Sequence, residues 1–132
     1  MLQKEVVDRI CAPAGNKQYG RLSVMVQYRC QSEALFEVPP HCFRPQPKVT
    51  SAFLRLTPRP AYELVGHDQI QLNQVVTRAF SQRRKTLRNS VQGLLSASEL
   101  TALAIDPNAR AETLSVEDFL RLSDYCSERA RA

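Results

Sequence analysis

The apolar pattern of this chain changes period part-way along. Over residues 4–11, Val6, Val7, Ile10 and Cys11 share one face of a helix, and Pro13 and Gly15 stop it. Residues 19–30 carry no internal breaker and fit two periods. Leu22, Val24, Val26 and Tyr28 alternate as in a strand, whereas Leu22, Met25, Val26 and Arg29 fit a helix. Periodicity does not decide between them, and the unbroken length leans towards helix. Residues 35–38 predict a short strand closed by Pro39 and Pro40. Residues 51–57 predict a second, with Ala52, Leu54 and Leu56 on one face and Phe53, Arg55 and Thr57 on the other. Residues 61–67 read as a linker, in which Gly66 permits a turn.

From Asp68 onwards the period is helical. Asp68 suits an N-cap, and Ile70, Val75, Val76, Ala79 and Phe80 make an apolar face. Continued without a break, this helix would bring Arg83 into line with Val76, Phe80 and Leu87 and bury a guanidinium, which is costly unless paired. The pattern therefore predicts a break near Ser81 and a separate helix over residues 83–92. There Arg84, Lys85 and Arg88 share one face, Leu87 and Val91 another, and Gly93 ends the helix. Ser96 and Glu99 have capping-box spacing before Leu100, Leu103 and Ala104. Asp106-Pro107 breaks that helix. A last helix starts at Ser115, turns Val116, Phe119, Leu120, Ser123 and Cys126 inward, and frays from residue 128.

Between the two predicted strands, residues 39–49 form a loop stiffened by four prolines. It holds Phe43 with Arg44 and Lys48. Phe43 is either a plug into the core or a platform for stacking on a flat ligand.

Charge changes the picture most. From residue 69 to residue 98 there is no Asp or Glu, while Arg78, Arg83, Arg84, Lys85 and Arg88 are all cationic. This window carries +5, equal to the net charge of the 132-residue chain. Solvated surfaces mix signs, and a field of one sign attracts a polyanion. Residues 82–89, Gln-Arg-Arg-Lys-Thr-Leu-Arg-Asn, are its centre. Other classes recede. The 43% hydrophobic and 23% charged content is that of a globular protein. No apolar run reaches the length of a membrane span, and residues 1–7 do not resemble a signal peptide, so a cytoplasmic location is expected. Cys11, Cys30, Cys42 and Cys126 are scattered, with only His41 and His67 to join them. They read as reduced thiols, and neither a metal site nor a nucleophilic triad is supported.

Several stretches resemble the small-subunit rRNA adenine N6,N6-dimethyltransferases of the KsgA type. These are Met1-Leu2-Gln3-Lys4-Glu5-Val6-Val7-Asp8-Arg9, Tyr19-Gly20-Arg21-Leu22-Ser23-Val24, and Val38-Pro39-Pro40 with Phe43-Arg44-Pro45-Gln46-Pro47-Lys48-Val49-Thr50-Ser51-Ala52. Phe80-Ser81-Gln82-Arg83-Arg84-Lys85-Thr86-Leu87-Arg88-Asn89, Ile105-Asp106-Pro107 and Arg110-Ala111-Glu112-Thr113-Leu114-Ser115 complete the set. The resemblance implies an α/β fragment plus an all-α part: the C-terminal edge of a Rossmann-like methyltransferase sheet over residues 1–60, a linker over 61–67, and a small helical rRNA-binding domain over 68–132. It implies that residues 4–11 and 19–30 are helices, that Gln3 ends a parallel strand, and that the two later strands are the sheet's antiparallel edge. It also implies methyl transfer from S-adenosylmethionine to N6 of two adjacent adenines near the 3′ end of small-subunit rRNA. Phe43 would then stack on the target base, with Arg44 and Lys48 flanking it on phosphates. Arg83, Arg84, Lys85, Arg88 and Asn89 would contact rRNA.

The chain also departs from that pattern. Such an enzyme needs a Gly-rich turn after its first strand, an acid for the cofactor ribose and an Asn-Leu-Pro-Tyr-type catalytic segment. Gly15, Gly20, Gly66 and Gly93 are isolated, and none of these motifs is present. The expectation is a portion that binds small-subunit rRNA without binding S-adenosylmethionine or transferring methyl groups alone, and that dimerises through its truncated sheet. The alternative is a stand-alone basic RNA-binding module with a core sufficient for itself.

Overall fold

The helical period at the N-terminus forms as the pattern predicts. A computed structural model describes residues 1–64, 66–82 and 84–131. In it a two-residue strand, β1 (Leu2–Gln3), runs into helix α1 (Lys4–Cys11), which buries Val7 and Ile10. Residues 19–30 are resolved in favour of the helical period: α2 spans Arg21–Arg29 and buries Ser23, Val24 and Tyr28. Ser23 ties the two helices together. Its Oγ accepts the Gly20 N–H at 3.1 Å and donates to the Arg9 carbonyl. Gln27 Nε2 donates to the carbonyls of Ile10 and Ala12, each at 2.8 Å, and so satisfies acceptors that the end of α1 leaves open.

Strand β2 (Cys30–Val38) follows α2 directly, and β3 (Ser51–Pro58) returns beside it. The order is β1-β3-β2 and both pairings are antiparallel. β2 therefore starts at Cys30, not at residue 35. Gln31, Ser32 and Glu33 gave no strand signal, yet they pair with Thr57, Leu56 and Arg55. The register shifts between Ala34 and Phe36, which leaves Leu35 at a bulge.

The expected linker carries a helical turn, α3 (Ala61–Leu64). Helix α4 (Gln69–Ala79) then starts on Asp68, whose carboxylate accepts the N–H groups of Ile70 at 2.9 Å and Gln71 at 3.2 Å. Asp68→Ala should destabilise the protein by about 1 kcal/mol, measured by urea unfolding; no change would mean that the cap is idle. The buried face of α4 is Leu72, Val75, Val76 and Ala79. Ile70, expected inside, is 73% exposed. It lies two residues before Leu72, about 200° round the helix, and Leu72 takes the inward place.

Helix α5 (Leu87–Ser90) is shorter than the expected 83–92. α6 (Ala97–Ala102) has the expected capping box, with Glu99 N–H on Ser96 Oγ at 3.2 Å and Ser96 N–H on Glu99 Oε1 at 3.0 Å. α7 (Val116–Arg131) starts in the same reciprocal way from Ser115 and Asp118. It stays helical from residue 128 to Arg131, where fraying was expected, and Arg129 there bonds to Glu99 and to the Leu94 carbonyl. Phe119, Ser123 and Cys126 point inward as the spacing predicts, joined by Leu122. One buried cluster runs from Ala12, Tyr19, Val24 and Tyr28 on the sheet side through Leu72 and Val76 to Phe119 and Leu122. Among the described residues, no helix is long and apolar enough to cross a membrane.

Candidate nucleic-acid interface

The basic stretch begins where α4 is made to stop. Phe80 closes the last turn with its N–H on the Val76 carbonyl at 3.0 Å. Ser81 then folds back on Arg78: its N–H and Oγ both donate to the Arg78 carbonyl, at 3.2 and 2.6 Å. The break falls at the predicted place. Lys85 N–H then donates to the Gln82 carbonyl at 3.1 Å, and Thr86 stands at the N-cap position of α5 without a side-chain capping bond.

The shortness of α5 has a local cause. The N–H groups of Leu87 and Arg88 donate to Ala109 at 2.7 Å and Pro107 at 3.0 Å, outside the helix. They are the unpaired donors of a helix start, satisfied by the 106–109 loop. Residues before Thr86 thus have no helical ladder to join. Leu87 and Val91 are fully buried, each contributing about 1.5–3 kcal/mol of apolar burial. That anchor leaves Arg84, Lys85, Arg88 and Asn89 exposed. Arg83, also expected to contact RNA, lies outside the described residues.

Several cations elsewhere on the surface have acidic partners: Arg9 with Glu5 at 2.8 Å, Arg55 with Glu33 at 3.7 Å, Arg129 with Glu99 at 2.8 Å, and Arg121 with Asp118. Among the described residues, no ion pair involves Arg84, Lys85 or Arg88. Their charge is uncompensated. Arg88 and Asn89 also line a groove of about 510 Å³ with Gln92, Ser96, Glu99 and Arg129.

Glu99 is the acid of that groove. The Tyr125 hydroxyl, the Ser96 N–H and the Arg129 guanidinium hold its carboxyl down at about 2, from an ordinary 4.5. A depressed carboxyl favours the fold once the unfolded chain is ionised, and this contribution is lost as pH falls through the folded value. The Tm difference between the protein and Glu99→Gln should be full above pH 4.5 and shrink towards pH 2; a pH-independent difference would contradict this.

Phe43, Arg44 and Lys48 lie on another element. A 3-10 turn, Pro40–Cys42, leads into Phe43, whose N–H donates to the Pro40 carbonyl at 3.2 Å. Phe43 is half-buried and does not belong to the core cluster, and Arg44 and Lys48 are exposed. Sequence reasoning passed over Arg21. Its guanidinium is held by neutral acceptors on α4, Asn73 Oδ1 at 2.8 Å and Thr77 Oγ1 at 3.2 Å, not by an acid. The available signal was a cation in the first turn of α2, against the helix dipole.

The described residues do not form a cofactor cradle. A Gly-rich turn must follow a strand for backbone to approach a nucleotide. Here β1 passes straight into α1, and β2 and β3 end in prolines. Gly15, Gly66 and Gly93 have positive φ in separate turns. The Gly-rich turn of the family pattern is not found among the described residues. The cysteines are all free, and among the described residues no cluster of His, Cys, Asp or Glu could hold a metal ion.

Comparison with known proteins gives a consistent answer. Residues 1–128 match the family model for ribosomal RNA adenine dimethylase. A ribosomal RNA small subunit methyltransferase A from Histophilus somni is 54% identical over 128 residues, covering 97% of this chain and 46% of the relative. One of the same name from Dechloromonas aromatica is 54% identical over 127 residues, covering 96% of this chain and 50% of the relative. The chain thus spans about half the length of these relatives. The crystal structure of a dimethyladenosine transferase from Plasmodium falciparum superposes with a TM-score of 0.85 at 22% identity, over 97% of this chain and 56% of that one. That likeness shows the fold, a Rossmann-like sheet edge followed by helices. With a family model matched over nearly its whole length, the chain belongs to the ribosomal RNA adenine dimethylase family.

Proposed function

We propose that this chain is the rRNA-binding portion of an adenine N6,N6-dimethyltransferase that acts on the small ribosomal subunit in the cytoplasm. The observation that carries the reading is the exposed, unpaired set Arg84, Lys85 and Arg88, mounted on a turn that Leu87 and Val91 anchor in the core. Arg83 and Asn89 extend that set on the sequence pattern. Such cations fix position and register on phosphates and read little sequence, so selectivity for small-subunit rRNA comes from RNA shape.

Phe43 is half-buried in the same loop as the exposed Arg44 and Lys48. In this reading it stacks on the adenine taken out of the helix, and the two cations hold adjoining phosphates. S-adenosylmethionine, when bound by a chain that carries the Gly-rich turn, supplies the methyl group for N6. The residues present here bind and orient RNA, and the chain alone transfers no methyl group. The test pairs two assays on one preparation: binding of small-subunit rRNA across a salt series, and methyl incorporation from labelled S-adenosylmethionine. Salt-sensitive binding without incorporation is expected. Robust incorporation, or no preference for this RNA over unrelated RNA, would overturn the proposal.

A second reading, a stand-alone RNA-binding module, is favoured by one observation. The buried cluster is continuous from α2 to α7, as a self-sufficient core requires. A monomer with uniformly protected core amides by hydrogen exchange would support that reading, whereas association through the sheet would count against it.

A further inference from the structure

Helix α4 carries a polar row that holds two arginines without an acid. Gln69, Asn73 and Thr77 follow one another at four-residue spacing along α4, and Arg21, Met25 and Arg29 do the same along α2. The two rows meet in antiparallel order. The Arg21 guanidinium donates to Asn73 Oδ1 through Nε at 3.0 Å and Nη2 at 2.8 Å, and to Thr77 Oγ1 at 3.2 Å. Arg29 Nη1 donates to Gln69 Oε1 at 2.8 Å. Both arginines are exposed, and among the described residues neither takes part in an ion pair. The neutral side chains of α4 fix the direction of each guanidinium and leave its remaining donors open.

Two grooves meet at Arg21. One, of about 800 Å³, runs past Met25, Gln69, Ile70 and Asn73; the other, of about 540 Å³, runs past Arg9, Lys17 and Phe80. Each contains one acid, and both acids are engaged. Asp68 accepts the Ile70 and Gln71 N–H groups, and Glu5 pairs with Arg9 at 2.8 Å. Phe80 brings the second groove to within two residues of Gln82, where the basic stretch opens. Ile70, out of the core and 73% exposed, lies in the first groove. Oriented cations beside an exposed apolar patch fit a nucleic-acid strand, with phosphates on the cations and sugars or bases on Ile70 and Met25. Eight residues of helix separate Arg21 from Arg29 by about 12 Å, roughly three or four phosphates of one strand.

The geometry points to a second RNA contact: the α2–α4 groove takes the sugar-phosphate backbone of a strand that continues from the turn carrying Arg84, Lys85 and Arg88. Arg21 and Arg29 hold its phosphates, and Gln69, Asn73 and Thr77 are positioning residues. The inference rests on the RNA-binding reading above, and variants of this chain keep the two apart. Arg21→Gln with Arg29→Gln should lower the slope of log affinity against log salt by about 1.4–1.8. The affinity lost between about 50 and about 200 mM salt should then shrink roughly 7- to 12-fold. Gln69→Glu with Asn73→Asp keeps both arginines but gives each an acid. It should lower the slope to a similar extent with unchanged circular dichroism. Alanine at Arg84, Lys85 and Arg88 is the reference, and its effect should add to that of the arginine pair.

An unchanged slope in either pair, beside a lowered slope in the reference variant, would overturn this inference and leave the RNA reading standing. RNA binding without salt dependence in the unmodified chain would overturn the RNA reading itself. Polyglutamate bound as tightly as an RNA strand of equal charge would overturn the inference in favour of an acidic protein.

Discussion

Replacing Arg84, Lys85 and Arg88 together with alanine should remove most of the salt sensitivity of RNA binding. Each phosphate contact contributes roughly 0.7–0.9 to the slope of log affinity against log salt. Three contacts therefore account for about 2–3 units, or roughly a 20- to 40-fold change in affinity between about 50 and about 200 mM salt. The loss should be uniform across RNA sequences, because phosphate contacts carry no base information. Arg121→Ala is the matched control. Arg121 is also exposed but is held by Asp118 and the Leu103 carbonyl, so the slope should barely move. An unchanged slope in the triple variant would remove the role assigned to the stretch.

The second large effect concerns the floor on which that stretch stands. Phe119 is fully buried in α7, with its ring 5.5 Å from Phe80, whose ring in turn lies 6.0 Å from Tyr19. Three segments distant in sequence meet at this stack. Phe119→Ala should cost about 3–5 kcal/mol, a large part of the roughly 5–15 kcal/mol that holds a domain together. Urea unfolding should show a lower midpoint with little change in slope. Tyr62→Ala, at a residue 77% exposed, should stay within about 0.5 kcal/mol. Since Phe80 sits one residue before the Ser81 break, the Phe119 variant should also weaken RNA binding under conditions where it remains folded. A cost below about 1 kcal/mol would mean that the core closes over the gap.

The helix starts were legible because they are written in side chains that act locally. Asp68, Ser96 and Ser115 each bond to N–H groups within three residues, so no distant part of the fold is needed to infer them. The break at Ser81 was legible for another local reason, since an unbroken helix would have buried Arg83. What escaped depends on distant partners. Gln31, Ser32 and Glu33 become strand only because β3 offers them a ladder. The α5 start is displaced because Ala109 and Pro107 accept its first N–H groups. Ile70 was assigned to the core on period alone, while the face of α4 that is buried carries Leu72 instead. At the interface, the one-signed charge was visible in the sequence. The neutral partners that hold Arg21 were not, because Asn73 and Thr77 lie more than fifty residues away.

The exposed Arg78 guanidinium donates to the Gln92 carbonyl at 2.6 Å across 14 residues. With Leu87 and Val91 seated in the core, the turn between them is fixed before any partner arrives. Association with RNA should then be favoured by the entropy of released counterions, with little opposing entropy from ordering of the chain. Its heat capacity change should be small, because the anchoring apolar surface was already out of water when the protein folded.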